Sequence, residues 1–167
     1  MTALTIGRLK QVIVYDPMSG ECTWLMSANG RVKVGARAGS VLNGLYRRVQ
    51  IDGVGYLEHR LIWFYMTGEW PQPEVDHWDT DGLNNKWPNL REATTQQNGF
   101  NKGPNAANTT GYKGVTKRYG GKFRAQGTFN GKAWFTKDFV TAEQAAAAYV
   151  AKSSELHGAF ARTGVGA

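Results

Sequence analysis

Four side chains in and just beyond one short stretch have types and spacing that could do chemistry together. The stretch VDHWDTDGLNNKWPNL, Val75 to Leu90, holds Asp76 and His77 side by side and Asn89 near its end; Asn98 follows it. A neutral imidazole is a suitable general base near pH 7. A carboxylate and an amide oxygen are hard donors that suit Mg²⁺ or Mn²⁺ better than zinc. A base and one divalent ion beside a phosphate are the minimum for hydrolysing a phosphodiester. On a strand, neighbours point to opposite faces, so Asp76 and His77 share a site only if the strand bends or a metal draws one ligand round. The Asn89 amide both donates and accepts, and could tie the loop to a following helix. Each residue alone has a plainer reading. A lone loop histidine is usually structural, and asparagine-rich stretches are usually turns. Asp79-x-Asp81-Gly82 faintly echoes a calcium loop, but no glutamate closes it.

The elements that must position these residues are legible in outline. QVIVYDPMSGECTWLM reads as two extended runs around an Asp-Pro-x-Ser-Gly turn. YRRVQIDGVGYLEH reads as two more around Asp52-Gly53. In HRLIWFYMTG, Leu61, Ile62, Tyr65 and Met66 fall at helical spacing and Gly68 suits a C-cap. A short helix starting near Thr94, with Thr94-x-x-Gln97 as a capping box, would carry Asn98. GFNKGPNAANTTG, rich in Gly, Asn and Pro, reads as a linker over 99–110. The remainder holds three β-rich runs, separated by Gly120-Gly121 and Asn130-Gly131. They precede an alanine-rich helix opened by Thr141-x-x-Gln144 and closed by Gly158.

Composition narrows the partners. The chain has 167 residues and a net charge of +7. Residues 1–98 hold equal numbers of basic and acidic side chains, so the whole basic excess falls in 99–167. A basic patch of that kind fits a polyanion, nucleic acid first and an acidic membrane surface second. The single cysteine, Cys22, excludes an internal disulfide and a cysteine-based zinc cluster. No stretch approaches the roughly 20 apolar residues of a membrane span, and MTALTIGRLK lacks an apolar signal core. The expectation is a soluble intracellular protein with no membrane partner.

His59-Arg60-Leu61, a helix, then V-D-H-x-D-x-D-x-x-N-N and N-L-R-x-A-T-x-x-x-N together resemble an HNH nuclease of the phage homing-endonuclease type, over roughly residues 12–101. That resemblance implies a ββα-metal unit with His77 as general base, Asp76 and Asn98 as ligands of one divalent metal, and Asn89 as the middle asparagine. Trp78 departs from the usual aliphatic residue after the histidine. Arg60 and Arg91 are candidate phosphate contacts, each with a surface salt bridge as its alternative. His59 is open between scaffold hydrogen bonding, phosphate contact and catalysis.

YKGV, GKFRAQ, WF and F-x-T-A-E-x-A-A-x-A-Y followed by G-x-x-A resemble an AP2 DNA-binding domain over about residues 108–161. In that family the sheet enters the major groove, which is wide enough for strands. The positions that match its DNA contacts carry Lys113, Arg118, Lys122, Lys132 and the aromatic Trp134. Thr116 and Thr128 stand where plant factors have arginine, Gln126 where they have glutamate, and Gly120 where they have tryptophan, so no target sequence carries over. Ala145, Ala148 and Tyr149 read as helix core, and His157 as a helix-end residue.

The expected architecture is α+β: an HNH nuclease domain with extra short strands over 1–98, a linker over 99–110, and a three-stranded antiparallel sheet with one helix over 111–167. The expected function is metal-dependent cleavage of double-stranded DNA by a monomer or weak dimer, one strand per active site. It would act in the cytoplasm, that of a bacterial host if the chain is phage-encoded. The alternative is a DNA-binding regulator whose HNH fold does no catalysis.

Overall fold

The structure is a computed structural model that describes residues 3–27, 32–101, 103 and 107–158. The chain divides into two compact units, Met1–Thr95 and Gln96–Ala167.

The first unit opens with α1 (Ile6–Val12), which sequence patterning did not suggest; Thr5 caps it by accepting from the Arg8 N–H. Strands β1 (Ile13–Asp16) and β2 (Glu21–Trp24) form the expected antiparallel pair. The short β3 (Ser40–Leu42) extends the hairpin of β4 (Tyr46–Ile51) and β5 (Val54–Leu57) into a three-stranded sheet. Asp52 and Gly53 turn that hairpin with φ of 49° and 82°, the left-handed pair that a two-residue hairpin loop demands.

Helix α2 (Glu58–Thr67) ends at Gly68, whose φ of 80° allows its N–H to bond the Phe64 carbonyl. It buries Leu61, Ile62 and Phe64 against Leu9, Ile13 and Val49. Met66 is exposed instead, and Phe64 takes the buried position expected for it. Each fully buried Leu or Ile contributes roughly 1.5–3 kcal/mol.

Strands β6 (Glu74–His77) and β7 (Leu90–Ala93) pair antiparallel, with Asp76 opposite Arg91 and His77 opposite Leu90. They are joined by the loop of the opening stretch, which closes in a 3-10 turn at Trp87–Asn89.

The second unit begins within α3 (Thr95–Asn101), which carries Asn98. The helix takes in the first residues of the stretch read as linker. Residues 102 and 104–106 of that stretch lie outside the described residues. Its end is ordered by an Asx turn, in which the Asn108 side-chain oxygen accepts from the Thr110 and Gly111 N–H groups. Strands β8 (Val115–Lys117), β9 (Phe123–Phe129) and β10 (Lys132–Phe139) form an antiparallel meander in the order β10-β9-β8.

Helix α4 (Ala142–His157) packs on this sheet, opened by a full capping box between Thr141 and Gln144. Its Ala145 and Tyr149 are buried with Val115 and Ala125, as the helix pattern suggests. The His157 side chain and the last residue of the Gly158-x-x-Ala161 match lie outside the described residues. No helix among the described residues is long and apolar enough to cross a membrane.

Candidate active site

His77 ends β6 and is 5% exposed. Its Nε2 lies 2.8 Å from the Asn85 side-chain oxygen. The Asn85 amide nitrogen donates to Glu58 Oε2 at 2.7 Å. Glu58 is fully buried at the start of α2 and is gripped by Arg37, with Nη1 to Oε1 at 2.6 Å and Nη2 to Oε2 at 3.0 Å. Arg47 Nε is 3.9 Å from the same carboxylate.

The β1–β2 turn holds Asn85 from behind. The Tyr15 hydroxyl donates to the Asn85 carbonyl at 2.8 Å, and the Trp87 N–H bonds the Pro17 carbonyl. Gly20 closes this contact at φ 78°; a Cβ there would lie 2.5 Å from the Lys86 nitrogen and 2.7 Å from the Asn85 carbonyl carbon. Only glycine satisfies both the left-handed backbone and the close approach.

Asp76 is 5% exposed, and its Oδ2 accepts from Arg91 Nε at 2.8 Å and Nη2 at 2.7 Å. The Arg91 guanidinium also lies 4.5 Å from the centre of the half-exposed Trp78 ring. So Arg91, a candidate phosphate contact, is engaged by Asp76 across the β6–β7 ladder. Arg60 donates to the Pro73 carbonyl at 3.0 Å.

Asn89 braces the loop rather than linking it to a helix. Its amide nitrogen donates to Asp79 Oδ1 and to the Asn84 carbonyl, its side-chain oxygen accepts from the Asp79 N–H, and its carbonyl accepts from the Trp78 N–H. Burial works to raise the Asp79 carboxyl, but hydrogen bonds from Asn84, Asn89 and the Asp81 N–H outweigh it and hold the group below the usual carboxylate range.

His59 is buried beside His77, with ring centres 5.0 Å apart in an edge-to-face arrangement, and the Tyr46 ring lies 5.4 Å from it. Burial first, then the neighbouring His77 and Arg60, push its pKa down to about 3. Its Nδ1 is buried without a hydrogen-bond partner. His59 therefore packs against His77 with its charged form disfavoured by burial.

Because the unfolded pKa is near 6.5, the unfolded chain takes up a proton at this position that the folded chain refuses. Stability from His59 is present above about pH 6.5 and is lost as pH falls toward 3, by up to about 1.4 kcal/mol per pH unit. Urea denaturation at pH 7.5, 6 and 5 should show this decline, and His59→Phe should flatten it. An unchanged slope in the variant would assign the decline elsewhere.

Asn98 is on α3, in the second unit. The hard-oxygen chemistry of the Asp76 carboxylate suits a divalent ion of the Mg²⁺ or Mn²⁺ class. No cluster of three or more His, Cys, Asp or Glu that could hold a metal forms among the described residues.

Sequence reading missed Asn85, Glu58 and Arg37 as site residues. The paired Asn84-Asn85 was visible, but only as loop-shaping residues, and nothing in the spacing links them to Arg37.

Residues 56–100 match the HNH endonuclease family model. The matched segment spans the end of β5, α2, the β6–β7 ribbon and most of α3. The chain is also similar to an uncharacterized HNH endonuclease of Acanthamoeba polyphaga mimivirus, 40% identical over 105 residues. The alignment covers 62% of this chain and 54% of that protein, so the chain spans about half the length of its relative. No solved structure matches the chain with comparable significance. The HNH segment thus contains His77, Asp76, Asn89, Asn98, Glu58 and Asn85, while Arg37 comes from outside it.

In the second unit the pleat separates the predicted DNA contacts. Arg118, Lys122 and Lys132 are exposed at the sheet ends. Lys113 donates to the Phe100 carbonyl at 2.6 Å, at the end of α3. Trp134 pairs with Gly127 and stacks on Tyr149 of α4 at 5.6 Å, so it belongs to the helix side of the sheet. The outward aromatic is its neighbour Phe135, 69% exposed, with the Arg124 guanidinium 5.3 Å from its ring centre. Tyr119 in the β8–β9 loop is fully exposed.

Proposed function

We propose that the chain is a metal-dependent DNA endonuclease of the HNH homing type, with a second unit that binds DNA in the manner of an AP2 domain. The observation that carries this reading is His77: a buried imidazole held through Nε2 by Asn85, next to Asp76, inside a segment matching the HNH endonuclease family.

In this reading His77 takes a proton from the attacking water. Asp76 and Asn98 hold the divalent ion, which when bound supplies Lewis-acid charge stabilisation at the scissile phosphate. Arg91 orients the Asp76 carboxylate, and Asn89 holds the loop in shape. One histidine makes one site, so a monomer on DNA, or one member of a weak dimer, nicks one strand.

Supercoiled plasmid incubated with Mg²⁺ or Mn²⁺ should give nicked circles before linear product, and EDTA should stop the reaction. Linear DNA without a nicked precursor would overturn the one-strand reading. Intact plasmid bound tightly by the wild-type chain would overturn catalysis and leave a DNA-binding regulator.

The second unit's exposed basic side chains and the outward Phe135 support DNA binding by the β8–β10 sheet. Phosphate contacts displace counterions, so affinity should fall steeply with salt. Replacing Arg118 or Lys132 by alanine in the full chain should each flatten the log–log salt slope by about 1, measured by fluorescence anisotropy. Slopes unchanged in both variants would place the phosphate contacts elsewhere.

A further inference from the structure

We propose that Glu58 and Arg37 are positioning residues that set which nitrogen of His77 is the base; this rests on the nuclease reading of His77. The argument is one of donors and acceptors. Arg37 can only donate, and an ionised carboxylate can only accept. Glu58 takes two bonds from Arg37, and Oε2 takes a third, at 2.7 Å, from Asn85. The Asn85 group facing Glu58 must therefore be its NH₂. That orientation turns the Asn85 oxygen toward His77 Nε2, at 2.8 Å. An oxygen acceptor in that place requires the proton on Nε2. The neutral ring then carries its lone pair on Nδ1, and Nδ1 is the atom that receives the proton from water.

The chain Arg37–Glu58–Asn85–His77 is built to stay in one state. Glu58 is fully buried and Asn85 nearly so. Gly20 and Tyr15 hold the Asn85 backbone, and Arg37 is anchored besides by the Cys22 carbonyl at 2.9 Å. A ring flip or amide flip would oppose donor to donor or acceptor to acceptor inside the protein, where no water repairs the mismatch.

The donor order makes a specific reversal testable. In Glu58→Gln with the amide oxygen in the Oε1 position, where it accepts from Arg37 Nη1, the NH₂ takes the Oε2 position and faces Asn85. Asn85 must then flip and present its own NH₂ to His77, which forces the imidazole proton onto Nδ1. In the double variant Glu58→Gln with Asn85→Asp, the new NH₂ donates to one oxygen of the introduced carboxylate. The other oxygen again accepts from Nε2, so the original tautomer returns.

Two readouts decide the matter. Two-bond ¹⁵N–¹H correlation spectra of the metal-free full chain report the His77 tautomer directly. The wild type should show the Nε2–H form, Glu58→Gln the Nδ1–H form, and the double variant the Nε2–H form again. In single-turnover cleavage, Glu58→Gln should lose roughly 10²- to 10⁴-fold in rate, the worth of a general base, at unchanged DNA affinity, with much of the loss recovered in the double variant. An Nδ1–H tautomer in the wild type, needing no variant at all, overturns the proposal. If no form of the chain cleaves DNA, the nuclease reading fails while the tautomer spectra still accept or reject the Arg37–Glu58–Asn85 device.

Discussion

His77→Ala is expected to lose DNA cleavage by at least the 10²- to 10⁴-fold that a positioned general base supplies, while DNA binding by the full chain persists. The physical ground is the single buried imidazole at the end of β6, with Nε2 already committed to Asn85. The substitution also strands the Asn85 oxygen, which had accepted from that ring. An unsatisfied buried acceptor costs about 1–3 kcal/mol, so a thermal melt must accompany the assay. A folded variant that binds DNA in a gel shift and does not nick it meets the expectation. A folded variant that nicks at the wild-type rate would remove His77 from the chemistry.

Arg37→Ala should give the largest loss of stability of any single change at the site, about 3–5 kcal/mol, the cost of leaving a buried charge without its partner. Glu58 has no exposed surface, and Arg37 supplies both ends of its fork–fork contact at 2.6 and 3.0 Å. Arg47, at 3.9 Å, is too distant to replace that pairing with a good hydrogen bond. Guanidinium denaturation at pH 7 measures the loss.

Removing both charges should behave differently. Arg37→Leu with Glu58→Leu should recover most of the stability, because a buried ion pair and an apolar pair of similar volume are often nearly equivalent. It should not recover cleavage, since the Asn85 amide then has no acceptor to orient it. Full activity in the apolar double variant would show that the ion pair serves folding alone.

Much of the local structure was readable without coordinates. Asp52-Gly53 and Asn130-Gly131 demand left-handed turns, and both became hairpins. Gly68 ends α2 and Thr141 opens α4, each through bonds made within one turn. His77 and Asp76 stood out because base and hard-ligand chemistry is carried by residue type. These features are local: the residues that make them lie within a few positions of one another. The short elements were harder. Helix α1 has a single cap and two turns, and β3 has three exposed residues, so neither carries a hydrophobic period long enough to recognise.

What only the tertiary structure decided lies in long-range convergence and in the choice of face. Arg37, Glu58 and Asn85 are separated by 21 and 27 residues, and no periodicity relates them. They meet because the segment just before β3, α2 and the β6–β7 loop pack around one buried carboxylate. Trp134 and Phe135 show the same limit within a strand. Alternation states that they face opposite ways, but which way is inward depends on where α4 lies, and α4 covers Trp134. Residue type therefore pointed to His77, and packing between distant segments selected the atoms that hold it.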